Sequence, residues 1–172
     1  MAETIAILGG TGDLGTGLAI RWSKAGYKII IGSRTKEKAV KAVTGLKKVN
    51  PTVAADAMIN EDAAKIGDIV VLTVPASHQL STLEGVKQYL TGKILIDVTV
   101  PLVPPKVGTV QLPAEGSAGK RAQDLLGDRV MVVTAFQNIA AHLLQEDIDI
   151  ECDVLVPGNK KKAREKVIKL AK

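Results

Sequence analysis

Apolar residues along this chain fall in two kinds of spacing that alternate. Compact blocks rich in aliphatic and β-branched residues occur at 4–8 (TIAIL), 28–32 (KIIIG), 68–74 (DIVVLTV), 93–97 (KILID) and 129–134 (RVMVVT). Continuous blocks of this length predict strands buried on both faces. Residues 53–58 make a weaker strand, and alternation over 149–156 predicts one more. Between them, wider apolar spacing predicts helices over 12–25, 35–48, 60–65, 77–90, 118–126, 138–144 and 160–172. The helix at 60 opens with Asn60 ahead of Glu61 and Asp62, a helix-start signal. Strands that alternate with helices predict an α/β fold around a largely parallel sheet.

The segment 98–117 fits neither spacing and holds Pro101, Pro104, Pro105 and Pro113. A loop that long inside a compact domain is more often functional than not. In the final helix Ala163, Val167, Leu170 and Ala171 share one face, so it should pack. Nothing after Leu170 offers a cap, and the sequence reads as cut short or as lacking a C-terminal element. Its 172 residues suit a single domain spanning 1–172.

With 46% apolar residues the chain has material for a sizeable core, which excludes a disordered or fibrous chain. No apolar run approaches the roughly 20 residues of a bilayer span, and the N-terminus lacks a signal peptide, so no membrane partner is expected. Cys152 is the one cysteine and cannot form an internal disulfide, which points to a reducing cytoplasm. It has no basic neighbour and reads as a small buried hydrophobe. The net charge is +5, but residues 160–172 alone carry +6 and the remainder −1. Basicity confined to a tail without aromatic platforms reads as a solvated helix face, with no nucleic-acid partner.

Gly10-Thr11-Gly12-Asp13-Leu14-Gly15 is a G-x-G-x-x-G that follows a strand and opens a helix. Its glycines serve a tight turn, close backbone approach to a pyrophosphate and close helix–strand packing. Free N–H groups and the positive end of the helix dipole would hold the anion. This context sharpens the fold class to Rossmann-type: a doubly wound, mostly parallel sheet with helices on both faces.

An NAD site would place a carboxylate about 20 residues after this loop, to bond the ribose 2′-OH. The chain instead reads Gly32-Ser33-Arg34-Thr35-Lys36, with Lys38 a half-turn further. A guanidinium fork and ammonium groups are the chemistry of a 2′-phosphate, hence NADP; the bland reading is that they decorate an exposed helix start. Positive charge there opposes the helix dipole, which favours the ligand reading.

Two further strand ends should face the same crevice: Thr73-Val74-Pro75-Ala76-Ser77-His78, and Ala135 through His142. His78 could donate a proton, but a histidine at a helix start more often caps or contacts a cofactor. His142 reads as a partly buried histidine inside an apolar helix. No Ser/His/Asp set, metal-ligand spacing or carboxylate dyad stands out, so neither a catalytic side chain nor a metal is expected. Hydride transfer between two rings needs alignment and exclusion of water more than a side-chain acid.

Together Gly9-Gly10-Thr11-Gly12-Asp13-Leu14-Gly15, Gly32-Ser33-Arg34, Leu72-Thr73-Val74-Pro75 and Ala135-Phe136-Gln137-Asn138 resemble the NADPH-dependent coenzyme F420 reductases over nearly the whole chain. The resemblance implies hydride transfer between NADP and the deazaflavin F420. It implies that Gly10, Thr11, Gly12, Asp13 and Leu14 hold the pyrophosphate, and that Ser33, Arg34 and Lys38 hold the 2′-phosphate. Val74 and His78 would line the path to the nicotinamide, which Val103 and Ala141 would approach. Gln137 and Ile139, in the 137–141 segment, would face the deazaflavin, with Gln137 replacing a histidine of some members. The family forms dimers with the help of a C-terminal segment that also covers the deazaflavin, so the resemblance implies a homodimer and a deazaflavin site short of its cover. Two alternatives stay open. Related reductases act on ferric ions, flavins or imines, although those use a large helical domain or a catalytic lysine. An NADP sensor without turnover is the other.

Overall fold

The computed structural model describes residues 2–172 except 103, 104, 106, 109 and 110, so the expectation for Val103 lies outside the described residues. Six strands form one sheet: β1 (Thr4–Leu8), β2 (Lys28–Ser33), β3 (Ala55–Ile59), β4 (Ile69–Leu72), β5 (Ile94–Asp97) and β6 (Met131–Thr134). They are parallel throughout and run in the order β3-β2-β1-β4-β5-β6. This is the doubly wound order, with the chain reversing direction of travel across the sheet between β1 and β4.

The helices are α1 (Asp13–Lys24), α2 (Lys36–Val49), α3 (Asn60–Ile66), α4 (Gln79–Val86), α5 (Ala118–Leu126) and α6 (Lys161–Leu170). Strand residues alternate between two cores. Ile5, Ile7, Ile29, Ile31 and Val71 meet Leu18 and Trp22 of α1, Val43 and Leu46 of α2, and Val167 and Leu170 of α6. On the other face Ala6, Leu8, Ile30, Val70 and Leu72 meet Ala63 of α3, Leu83 of α4 and Ala122 of α5. Both faces are therefore covered, which is why the strands read as unbroken apolar blocks. Each fully buried Ile or Leu contributes roughly 1.5–3 kcal/mol by leaving water.

Two expected elements do not form. Residues 138–144 make no α-helix; the chain turns there and closes in one 3-10 turn, Leu143–Gln145. Phe136 takes φ 68°, a left-handed geometry a helix cannot follow directly, and its ring packs edge-on against Trp22 at 5.7 Å. The Asn138 amide donates to the Asp153 carbonyl at 2.7 Å rather than capping a helix. His142 is accordingly exposed rather than held inside an apolar helix. Residues 149–156 form no strand either. They lie along the α1 side of the core through Ile150, Val154 and Val156, and the chain meets β6 just beyond them, in an isolated bridge of Gly158 to Val133. Cys152 is exposed on this strap, contrary to the buried reading. Arg21 of α1 secures the preceding turn, donating to the carbonyls of Leu143, Leu144, Glu146 and Ile148 at 2.7–3.1 Å.

Alpha-1 leaves β1 through a very tight turn. A Cβ on Gly15 would lie 2.6 Å from the Gly10 Cα, closer than nonbonded carbons approach. Gly15→Ala should therefore cost about 1–3 kcal/mol of overpacking, read by denaturant unfolding. A variant as stable as the parent would show that the β1–α1 contact is loose.

Candidate functional site

The carboxyl ends of the strands open into a crevice where the order reverses between β1 and β4, the place where doubly wound sheets take ligands. Its floor is the glycine turn. Gly10 N–H donates to the carbonyls of Ile7 at 3.2 Å and Gly32 at 3.1 Å, joining the turn to β1 and β2. Gly9 takes φ 68°, and a Cβ there would run into the Val74 side chain, so Val74 closes over the turn from β4. Gly12 is the N-cap of α1, and a Cβ on it would meet nothing within 4 Å. The turn is thus packed from behind and open in front. The N–H groups ahead of Thr16, whose own N–H donates to Gly12 O at 2.9 Å, have no intrahelical acceptor.

Asn60 is a residue the sequence reading did not connect with this turn. It is buried at the start of α3, and its Oδ1 accepts from Gly9 N–H at 3.2 Å. The visible signal was a polar residue at a strand–helix junction, taken only as a helix start.

At the end of β2 the backbone pairs one residue further than expected, to Ser33 opposite Ile59. Ser33 is buried, whereas Arg34, Lys36 and Lys38 are exposed. Thr35 caps α2 by accepting from Lys38 N–H at 3.5 Å. Among the described residues none of these three cations enters an ion pair, although Glu37 shares the first turn of α2. Their charge is left for the solvent side of the crevice.

Beta-4 ends with Thr73 donating through both N–H and Oγ1 to Leu8 O, at 2.9 and 3.0 Å. The chain then makes a 3-10 turn, Ala76–His78, which leaves the His78 ring exposed ahead of α4. Beyond β6, Gln137 is exposed and its Nε2 donates to the Asp97 carbonyl at 2.9 Å. It lines a cavity of 540 Å³ together with Thr99, Ser117, Gln123, Thr134 and Asn159. Ala141 lies over α1, its carbonyl 3.3 Å from where a Gly17 Cβ would stand. Ile139 faces elsewhere, into a groove with Leu18, Trp22, Phe136 and Leu144.

Below the β4, β5 and β6 ends lies a buried polar cluster that sequence reading also missed: Gln79, Asp97 and Thr99, with Arg121 at its margin. Burial pushes the Asp97 carboxyl above its ordinary value, against the lowering effect of bonds from Thr99 and Gln79 and the charge of Arg121. A carboxylate ending an apolar block was the available signal.

The family profile described as NADP oxidoreductase, coenzyme F420-dependent, matches residues 4–101. The F420-dependent NADP reductase of Methanocaldococcus jannaschii is 44% identical over 97% of this chain and 78% of its own length. That of Methanothermobacter thermautotrophicus is 39% identical over 99% of this chain and 77% of its own. Among solved structures, a pyrroline-5-carboxylate reductase from Coxiella burnetii superposes with a TM-score of 0.66 at 16% identity, over 98% of this chain. This chain spans only 55% of that structure's chain, and the likeness is one of fold.

Asp97 supports a pH prediction. A carboxyl whose value is raised on folding contributes stability that is complete below the unfolded value and is lost as pH rises through the folded one. The unfolding free energy of the parent minus that of Asp97→Asn should therefore fall as pH rises past about 4, the ordinary aspartate range. Denaturant titrations across that range check it, and a difference that rises with pH would contradict it.

Proposed function

This chain belongs to the family of coenzyme F420-dependent NADP oxidoreductases, and we propose that it carries a hydride between NADP(H) and the deazaflavin F420. The observation that carries the NADP half is the cation group Arg34, Lys36 and Lys38, without an ion pair among the described residues and standing where an NAD site would offer a carboxylate. The 78% and 77% of the two F420-dependent NADP reductases that align with this chain support the F420 half.

In this reading the backbone of Gly10, Thr11, Gly12, Asp13 and Leu14 receives the pyrophosphate at the open front of the turn. Ser33, Arg34 and Lys38 receive the 2′-phosphate, with Arg34 as a two-pronged donor. Val74 and His78 flank the path of the dinucleotide, and Ala141 stands at the nicotinamide end. Gln137 and Ile139 are assigned to the deazaflavin. Gln137 fits from its place on the cavity beyond β5 and β6; Ile139 can serve through its backbone, since its side chain turns to the core groove.

In the NADPH-oxidising direction one hydride leaves the nicotinamide ring and adds to a deazaflavin ring carbon, and one proton from solvent balances the reduced ring. Holding two planar rings face to face and excluding water accounts for the acceleration, so no side-chain acid or metal is assigned. The reading extends to a single NADP-binding domain, a homodimer, a cytoplasmic site and no nucleic-acid partner. Lys161 pairs with Glu165 one turn on, both exposed, which supports a solvated face, while Lys166 ties the helix to Glu3. No helix among the described residues is long and apolar enough to cross a membrane.

Calorimetric titration should show NADP binding more tightly than NAD. Arg34→Ala should remove a charge-assisted bond of about 1.5–3 kcal/mol, a loss of roughly tenfold to hundredfold for NADP with little change for NAD. NADPH oxidation should proceed with F420 and not with flavin mononucleotide. Equal binding of the two dinucleotides, or turnover with the flavin alone, would overturn the assignment.

A further inference from the structure

Gln79 of α4, Asp97 and Thr99 at the end of β5, and Arg121 of α5 come from three segments of the chain and form one directed path of hydrogen bonds under the crevice. Arg121 Nε donates to Gln79 Oε1 at 2.7 Å, and its terminal nitrogen reaches the Ala76 carbonyl at 3.3 Å. A guanidinium only donates, so the Gln79 oxygen must face it and the amide nitrogen must face the other way. That nitrogen sits 2.5 Å from Asp97 Oδ2, 3.1 Å from Thr99 Oγ1 and 2.9 Å from the Ala118 carbonyl. Thr99 N–H donates to the other Asp97 oxygen at 2.9 Å. The Asp97 carbonyl, in turn, accepts from Gln137 Nε2 at 2.9 Å and from Ala135 N–H at 3.3 Å.

Side-chain polarity along this path cannot be reversed, because Arg121 fixes one end. Its two ends reach opposite walls of the site: Ala76 belongs to the turn that carries His78, and Gln137 begins the wall beyond β6. Gln79 and Asp97 have no exposed surface at all, so neither can touch a dinucleotide or a deazaflavin. A buried amide and carboxyl cost desolvation that an apolar pair of the same shape would not. What they supply instead is a fixed orientation.

Resting on the reading of this chain as an NADP–F420 oxidoreductase, we propose that Gln79, Asp97 and Arg121 are positioning residues that clamp the β4 turn to the β6 loop. The clamp sets the separation of the two walls, and so the distance between the rings they hold. The pyrophosphate and 2′-phosphate sites lie on β1 and β2, and the clamp reaches them only through Val74 and His78 of the β4 turn. Its loss should therefore fall mainly on the hydride step, with dinucleotide binding weakened at most modestly.

The test uses the full chain with Arg121→Met, Gln79→Met and the double variant, measuring single-turnover hydride transfer and NADP affinity separately. Each single variant should slow transfer by about tenfold to a hundredfold, the scale of a small misplacement of reacting groups, with NADP affinity weakened at most modestly. The double variant should be no slower than the slower single, because the residues act as one unit. Arg121→Lys keeps a donor toward Gln79 and should recover part of the rate; Arg121 is only half-buried, so this pair carries the test if Gln79→Met does not fold. Losses that multiply in the double variant, or NADP affinity and thermal stability falling in step with the rate, would overturn the clamp. Amide exchange reads the same clamp without turnover. The His78 N–H, bonded to the Pro75 carbonyl, and the Ala135 N–H should quicken together in Arg121→Met. If the parent binds NADP but does not reduce F420, the functional reading fails and exchange alone decides: coupled quickening upholds the clamp, and unchanged exchange overturns it.

Discussion

Gly10 and Gly15 meet backbone to backbone, and that contact sets where α1 begins relative to β1. A side chain at Gly15 would push the helix outward and carry its N–H groups away from the strand end. With both positions bare, the first turn of α1 sits close behind a loop whose front, at Gly12, is open. Neighbouring strands then complete the frame. Gly32 O of β2 receives the Gly10 N–H, Val74 closes over Gly9 from the end of β4, and Asn60 receives the Gly9 N–H from α3. The glycine turn is thus held from three sides.

The sheet order distributes the remaining work. Because the chain moves outward in one direction from β1 to β3 and in the other from β4 to β6, the two halves of the crevice are built by different halves of the sequence. The first half presents free backbone N–H groups at the glycine turn and exposed cations after β2. The second half places a buried polar path beneath Ala76 and Gln137. On the proposed reading, affinity and alignment fall to separate structures, an arrangement suited to a reaction that needs two rings at a fixed distance.

Most of this was legible where local sequence determines the outcome. The buried strands announced themselves as aliphatic blocks, and the glycine turn was specified by spacing because each glycine answers a separate steric demand. The cations after Gly32 were equally plain, since a missing carboxylate is visible in a single sequence. Elements failed where a distant contact decides. Helical spacing at 138–144 gives way because Phe136 is turned to a positive φ by burial against Trp22 of α1. The alternation at 149–156 does bury Ile150, Val154 and Val156, yet its backbone takes other partners, including the Asn138 amide on Asp153 O. Gln79 looked like an ordinary helix residue, and only the fold brings it between Arg121 and Asp97.

Direct hydride transfer requires that the crevice bring the nicotinamide of NADP(H) against a deazaflavin. Its sharpest test is to supply NADPH carrying deuterium at one face of nicotinamide C4, together with oxidised F420, and to analyse both products by mass spectrometry. For one of the two faces, the label should move onto the deazaflavin without dilution by solvent hydrogen. NADPH that binds but retains its label from both faces, or a label lost to water, would contradict it.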